Sequence, residues 1–198
     1  MKTKIPKIAA VAATLSMMAG CIVLSVYPFY TAKDLVFDPA LTGHWVDASK
    51  TNSNWRFAGV DGKWYWLATT DESSTNVFEG HLFQLKNYRF LDLLTTNRVD
   101  FHLPMHLISK VEHQGTNVSV QFMDYNCLDS ELEKNPAALR HIVVPTEPGH
   151  GSDLNYQGDK MVYLTAETKD LQKFLLKHVE DTNAFNVESA IHLKPGTE

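Results

Sequence analysis

Apolar and polar positions alternate along most of residues 43–124, as they do in antiparallel strands. The stretch NWRFAGVDGKWYWLAT, residues 54–69, alternates on both sides of an Asp-Gly pair. Asp-Gly suits a two-residue type I′ turn because both turn positions need positive φ. Pairing outward from that turn puts Phe57 opposite Trp66 and predicts one aromatic face. That face consists of Trp55, Phe57, Trp64 and Trp66.

A second hairpin is predicted in VFEGHLFQLKNYRFLDLL, residues 77–94. With Lys86-Asn87 as its turn, His81 faces Asp92 across the two strands. A third hairpin follows in residues 105–124, around the turn QGT. Three consecutive hairpins predict an antiparallel meander.

The period then changes to that of helices. Helices are predicted near residues 128–141 and 168–180, with a Gly- and Pro-rich loop at 145–159 and the strand MVYLTA between them. The fold class is therefore β-rich α+β, in which a meander forms a small barrel or strongly curved sheet with two covering helices. Gly43-His44-Trp45 resembles the glycine-x-tryptophan of lipocalins, and this resemblance implies a lipocalin-like barrel.

The N-terminus has the parts of a secretory signal. A basic stretch, MKTKIPK, precedes the apolar stretch IAAVAATLSMM, and Ala19-Gly20 comes directly before Cys21. This arrangement resembles the bacterial lipobox, although Met18 stands where leucine is usual. The resemblance implies a signal peptide over residues 1–20, a lipidated Cys21 beginning a tether over 21–42, and one globular domain over 43–198.

A membrane-spanning helix is the alternative for the same region. Residues 8–30 form an uncharged run of 23 residues, and about 20 apolar residues span a bilayer. The lysines before this run would lie on the cytoplasmic side. Both interpretations place residues 33–198 in the cell envelope, anchored to a membrane and facing the periplasm or exterior. The choice between inner and outer membrane stays open.

Several further stretches are similar to a family of uncharacterised bacterial envelope lipoproteins. The matching residues are YPFYTAKDLVFDPALTGHW at 27–45, FEGHLFQL at 78–85, FLDL at 90–93, ELEKNPAALRH at 131–141 and LTAETKDLQKFLLKH at 164–178. The resemblance implies an envelope location and this architecture, and it implies no activity.

Charge and cysteine content narrow the range of functions. The net charge is −5, and removal of residues 1–20 takes away three lysines and no acidic residue, which leaves −8. Such a surface argues against nucleic-acid partners and against a polybasic membrane contact. The only two cysteines, Cys21 and Cys127, exclude a disulfide scaffold and a zinc site built on cysteine pairs. Cys127 is interpreted as a small, buried apolar residue.

The predicted pairing of His81 with Asp92 is the most specific candidate for chemistry. A carboxylate can fix an imidazole tautomer in a catalytic dyad, but it can equally form a hydrogen-bonded structural pair. The sequence has no Gly-x-Ser-x-Gly elbow to supply a nucleophile. In an extended chain His102 and His106 are roughly 13 Å apart, too far to share one ion. No metal and no cofactor are predicted.

Three functions follow from these observations. The leading one is a non-enzymatic structural or interaction domain that docks an unknown envelope protein. The second is a lipocalin-like binder that holds a small apolar ligand against the aromatic face, which could equally be packed core. The third is a hydrolase-type enzyme that uses His81 and Asp92. The pair also predicts that His81→Ala costs roughly 1–3 kcal/mol by leaving Asp92 unpaired.

Overall fold

The secondary structure follows the alternating pattern closely. A computed structural model of the protein describes residues 22–50, 52–72, 74–96, 103–145 and 160–197. Within these ranges the chain forms eleven strands and two α-helices. They are, in chain order, β1 (Leu24–Ser25), β2 (Gly43–Asp47), β3 (Asn54–Val60), β4 (Trp64–Thr70), β5 (Thr75–Leu85), β6 (Tyr88–Thr95), β7 (His106–Gln114), β8 (Asn117–Phe122), α1 (Tyr125–Lys134), β9 (His141–Pro145), β10 (Lys160–Leu164), α2 (Thr168–His178) and β11 (Ile191–Pro195).

Eight of these strands close into an antiparallel barrel. β2 to β8 pair in chain order, and β11 closes the barrel by pairing with β8 on one side and β2 on the other. A short extension leaves the barrel at the N-terminal end of β7, where β1, β10 and β9 follow side by side. The predicted small barrel with two helices is confirmed, and it is compatible with a lipocalin-like arrangement.

The turn between β3 and β4 is type I′ as predicted, but it is followed by an extra residue. Asp61 and Gly62 have φ of 51° and 63°, and the Lys63 N–H donates to the Val60 carbonyl at 3.0 Å. Val60 nevertheless pairs with Trp64 instead of Lys63. The register of β4 is therefore shifted by one residue.

This shift turns every side chain of β4 to the other face, because strand side chains alternate with a period of two. Phe57 lies opposite Leu67, so its predicted pairing with Trp66 is wrong. Tyr65 and Leu67 point into the barrel, whereas Trp64 and Trp66 are on its outside.

The hairpin of β5 and β6 has the predicted register. His81 lies opposite Asp92 and Phe83 opposite Phe90. Lys86 takes the positive φ, 53°, that the two-residue turn requires. This prediction is confirmed.

The protein has two hydrophobic layers. The interior cluster fills the barrel with fifteen buried side chains, among them Trp45, Trp55, Phe57 and Tyr65. The outer cluster packs α1 and α2 against the outside of β5, β6 and β7, where it includes Phe83, Phe90 and Ile108. Both faces of the β5–β7 sheet are therefore buried.

α2 lies close to its predicted position, whereas the helix predicted over 128–141 is wrong beyond Lys134, and a strand, β9, begins at His141. α1 starts earlier than predicted because Asp124 caps it, its Oδ1 accepting from Asn126 N–H at 2.7 Å. α1 ends at Lys134. Pro136 disfavours helical geometry in Asn135, the residue directly before it. No helix in the described part of the chain is long and apolar enough to cross a bilayer.

Residues 22–42 were expected to form a tether, but they are packed into the domain. Ile22 bridges Asp124, Leu24–Ser25 form β1, and Phe29 is buried in the outer cluster. Further along, the N–H of Val36 donates to the carbonyl of Leu82 at 2.9 Å. The domain therefore includes residues well before Gly43. Cys21 and the predicted signal peptide lie outside the described residues.

Candidate functional site

The outer face of β5, β6 and β7 carries three polar side chains under the N-terminal segment. His81 lies two residues before Phe83, Asp92 two residues after Phe90, and His106 two residues before Ile108. Those three apolar residues belong to the outer cluster. Strand alternation therefore turns His81, Asp92 and His106 toward the outer layer, away from the barrel interior.

Asp92 is the centre of this group, and its side chain is fully buried. Its Oδ1 accepts from Nδ1 of His106 at 2.7 Å, and its Oδ2 accepts from the N–H of Phe29 at 2.9 Å. Because an ionised carboxylate only accepts, this contact assigns a proton to His106 Nδ1. A buried carboxylate needs such donors to offset its lost hydration. Asp92 thus ties β6 to β7 and to the N-terminal segment.

His81 lies beside this pair without joining it. Its ring stacks on Tyr30 with the ring centroids 4.7 Å apart, and Trp64 lies 6.1 Å away on a nearly parallel plane. Nε2 lies 3.5 Å from Oε1 of Glu79, while Nδ1 is buried and has no hydrogen-bond partner. Burial lowers the pKa of His81, although the carboxylates of Glu79 and Asp92 oppose this. The ring is therefore kept neutral near pH 7.

Tyr30 covers His81 and completes the group. Burial raises the pKa of the Tyr30 phenol, and the negative charges of Asp92 and Glu79 raise it further. Tyr30 therefore stays protonated at any physiological pH. Sequence reasoning missed both Tyr30 and His106 as members of this group, since no local turn links either of them to Asp92.

Acyl transfer would require a nucleophile beside an imidazole. Ser25 pairs directly opposite His106 across β1 and β7, but it is fully buried. Its hydroxyl donates to the Tyr27 carbonyl at 2.8 Å and accepts from the Tyr27 N–H at 3.2 Å. Both bonds hold a local turn in place. The geometry therefore favours a structural role for this group of residues.

The predicted aromatic face is divided between two surfaces. Trp55 and Phe57 lie in the interior cluster with Tyr65, whereas Trp66 is 42% exposed on the outside. Trp64 packs edge-on against Trp66, with centroids 4.9 Å apart. Only Trp55 and Phe57 can therefore line the inside of the barrel. Trp64 instead adjoins His81.

Two pockets stand out on the described part of the chain, and both open on its outside. One, of about 730 Å³, lies between α2 and the segment after α1 and is lined by Arg140, Glu167 and Lys173. The other, of about 610 Å³, lies at the barrel rim, where Asp38 binds Arg89 at 2.8 Å and His113 at 3.2 Å. The rim charges are thus already paired.

A cysteine, a histidine and an aspartate meet where α1 and α2 come together. Ligand atoms of Cys127, His178 and Asp181 all lie within 4.8 Å of one another. A zinc ion would hold such atoms roughly 3.3–3.7 Å apart, and His178 Nδ1 lies 3.8 Å from Oδ2 of Asp181. Burial raises the pKa of Cys127, and nearby carboxylates raise it further, Asp181 foremost. The thiol is therefore protonated at neutral pH, and it would have to lose this proton to bind a metal ion. His102, half of the histidine pair considered above, lies outside the described residues.

No family model, no curated protein and no solved structure matches the chain. The fold and the polar group together define the class of protein in structural terms. It is a closed eight-stranded antiparallel barrel with a helical outer layer, held to its N-terminal segment by a buried carboxylate.

Proposed function

We propose that the protein is a lipid-anchored envelope domain, with Cys21 as the lipidated residue and a non-enzymatic interaction role. The observation that carries this proposal is the position of residues 22–30. Ile22 pairs with Asp124, β1 follows, and Phe29 is buried. The domain thus starts one residue after the proposed lipidation site.

This position argues against the alternative of a spanning helix over residues 8–30. A residue cannot lie in a bilayer helix and in the packed domain at once. If residues 22–30 belong to the domain, the uncharged run shrinks to residues 8–21, which would make a helix about 21 Å long. The hydrocarbon core is about 30 Å thick. Two acyl chains on Cys21 supply the firm attachment that such a short segment lacks.

Two features favour an interaction role over a hydrolase. Asp92 is fully buried with both carboxylate oxygens bonded, and His81 is 9% exposed under Tyr30. A hydrolytic site needs its imidazole open to substrate. We therefore assign His81 and Asp92 to stability, and we assign the domain's partners to its outer surface.

Intact mass tests the anchor. We expect protein purified from the membrane fraction to have the mass of residues 21–198 plus a diacylglycerol. Cys21→Ala should lose the lipid, while the matched Cys127→Ala should keep it. A full-length, unmodified chain that still partitions with membranes would overturn the proposal.

A lipocalin-like binder is the second candidate, and the closed barrel is compatible with it. Trp45 and Trp55 lie in its interior, where a bound apolar ligand would alter their emission. Titration with fatty acids and retinoid-like probes tests this function. A shift in wild type that Trp55→Phe reduces would support ligand binding inside the barrel. Unchanged emission across the panel would leave the interior as packed core.

A further inference from the structure

The extension of the sheet carries a row of apolar side chains on one face. β1 runs parallel to β10, with Leu24 beside Tyr163, so Ile22 is level with Met161 two residues earlier. β9 pairs antiparallel to β10, which places Val144 beside Met161 and Ile142 beside Tyr163. We call these five residues the extension face: Ile22, Met161, Tyr163, Ile142 and Val144.

Alternation confirms that the five share one side of the sheet. Met161, Tyr163 and Ile22 pack against the edge of the interior cluster, whereas the intervening Val23 and Val162 belong to the outer cluster. The face is open toward β9, where Ile142 is 52% and Val144 42% exposed. β9 is also the last strand in the sheet order. Contiguous exposed apolar side chains mark interaction surfaces, and Val143, on the opposite face of β9, is exposed to a similar extent, at 49%.

The chain leaves the described structure at this face. Cys21 precedes Ile22, and consecutive Cα atoms are about 3.8 Å apart. Val144 lies two strands away from Ile22, which is about 10 Å at ordinary strand spacing. Acyl chains on Cys21 would therefore hold every residue of the extension face within roughly 16 Å of the lipidated residue, close to the membrane surface.

The charge on and around the extension face indicates which kind of surface the face can contact. None of its five side chains is charged, and Lys160, which begins β10, is bound instead to Asp129 and Glu133, each at 3.0 Å. The domain without residues 1–20 carries −8, so electrostatic attraction to anionic lipids is not available. Apolar insertion between headgroups remains the mode of contact.

We infer that the extension face docks on the phospholipid bilayer that holds the acyl chains of Cys21, and so fixes the orientation of the barrel. This inference rests on the proposed lipid anchor. No residue separates Cys21 from Ile22, the first residue of the domain, so the anchor leaves little freedom, and the apolar extension face begins at Ile22. The domain then contacts the membrane through β1, β10 and β9.

The test uses the lipidated full chain in vesicles of phosphatidylcholine and phosphatidylglycerol. Cys127→Ala removes the free thiol, and Val144→Cys carries an environment-sensitive fluorophore. Val77→Cys is the matched control, because Val77 is also an exposed valine in a strand but belongs to β5 of the barrel. Nitroxide groups near the headgroup end of the lipid chains serve as quenchers, and thermal unfolding verifies that both variants fold.

We expect blue-shifted emission and several-fold stronger quenching at position 144 than at position 77. A label at Ile142→Cys should behave like the one at 144. Equal, water-like emission at all three positions, in protein whose mass includes the diacylglycerol, would overturn the docking inference and leave the anchor intact. A mass without diacylglycerol would overturn the anchor, and the inference with it.

Discussion

Asp92 lies directly opposite His81 in the β5–β6 ladder, yet its carboxylate binds His106, with Nδ1 and Oδ1 2.7 Å apart. The second oxygen accepts from the backbone of Phe29. One buried carboxylate therefore joins two barrel strands to the N-terminal segment. Backbone pairing places His81 opposite Asp92. The direction of the Asp92 side chain, however, makes His106 its hydrogen-bond partner.

This relationship moves the predicted stabilising contact with Asp92 from His81 to His106. His106→Phe should destabilise the protein by about 3 kcal/mol, because it leaves Asp92 buried without its partner. His81→Phe should change the free energy of unfolding by less than about 1 kcal/mol, since it keeps the stacking and removes an unbonded Nδ1. Urea denaturation of both variants measures the difference. If His81→Phe lowered the free energy of unfolding more than His106→Phe, the result would instead support the sequence-based prediction that His81 is the partner of Asp92.

Stability should fall as pH drops below the ordinary histidine value of 6.5. Burial lowers the pKa of His81 in the folded protein, so between the two pKa values the unfolded chain binds more protons. Unfolding is then favoured by protonation, and stability rises with pH through this window. Thermal melts between pH 5 and pH 8 measure the slope. His81→Phe should flatten it, and an unchanged slope would mean that other groups cause it.

The register of β4 can be checked with two tryptophans. Trp55→Ala should cost roughly 3–5 kcal/mol, because Trp55 is 2% exposed in the interior cluster. Trp66→Ala should cost about 1 kcal/mol or less, since Trp66 lies on the outside against Trp64. Denaturant titrations give both values. Similar losses would indicate that the two residues share one buried face after all.

The N-terminal segment should behave as part of the core. Phe29→Ala is expected to lose roughly 3–5 kcal/mol, because it empties a site in the outer cluster. Tyr27→Ala is the neighbouring control, and its exposed side chain should contribute no more than about 0.5 kcal/mol. A neutral Phe29→Ala would mean that the segment is a tether, and the main support for the proposed anchor would be lost.

Local turns account for what could be predicted about the strands. Lys86-Asn87 connects β5 to β6 with two residues, so the turn alone set the register and placed His81 opposite Asp92. Asp61-Gly62 carried an equally good signal for β3 and β4. There the extra residue Lys63 shifted the pairing, and nothing in the alternating pattern of β4 distinguishes one register from the other, because both of its faces are largely apolar.

The contact of Asp92 with His106 depends on a connection that has no such turn. The segment between β6 and β7 is too long to set a register, so the pairing of Asp92 with Ile108 arises from packing on both faces of the sheet. Nothing in the sequence indicates that residues 22–36 pack into the domain. An apolar run before a domain has the same composition whether it enters a bilayer, hangs free or packs against a barrel.

The alternation of residues, the turn dipeptides and the helical period determined a β-rich antiparallel meander with two helices, because those signals act over a few neighbouring residues. Tertiary structure decided which tryptophans face inward, which histidine binds Asp92 and where the domain begins. Each of these depends on contacts between segments far apart in the chain. Such contacts form only when the barrel closes and its outer layer packs against it.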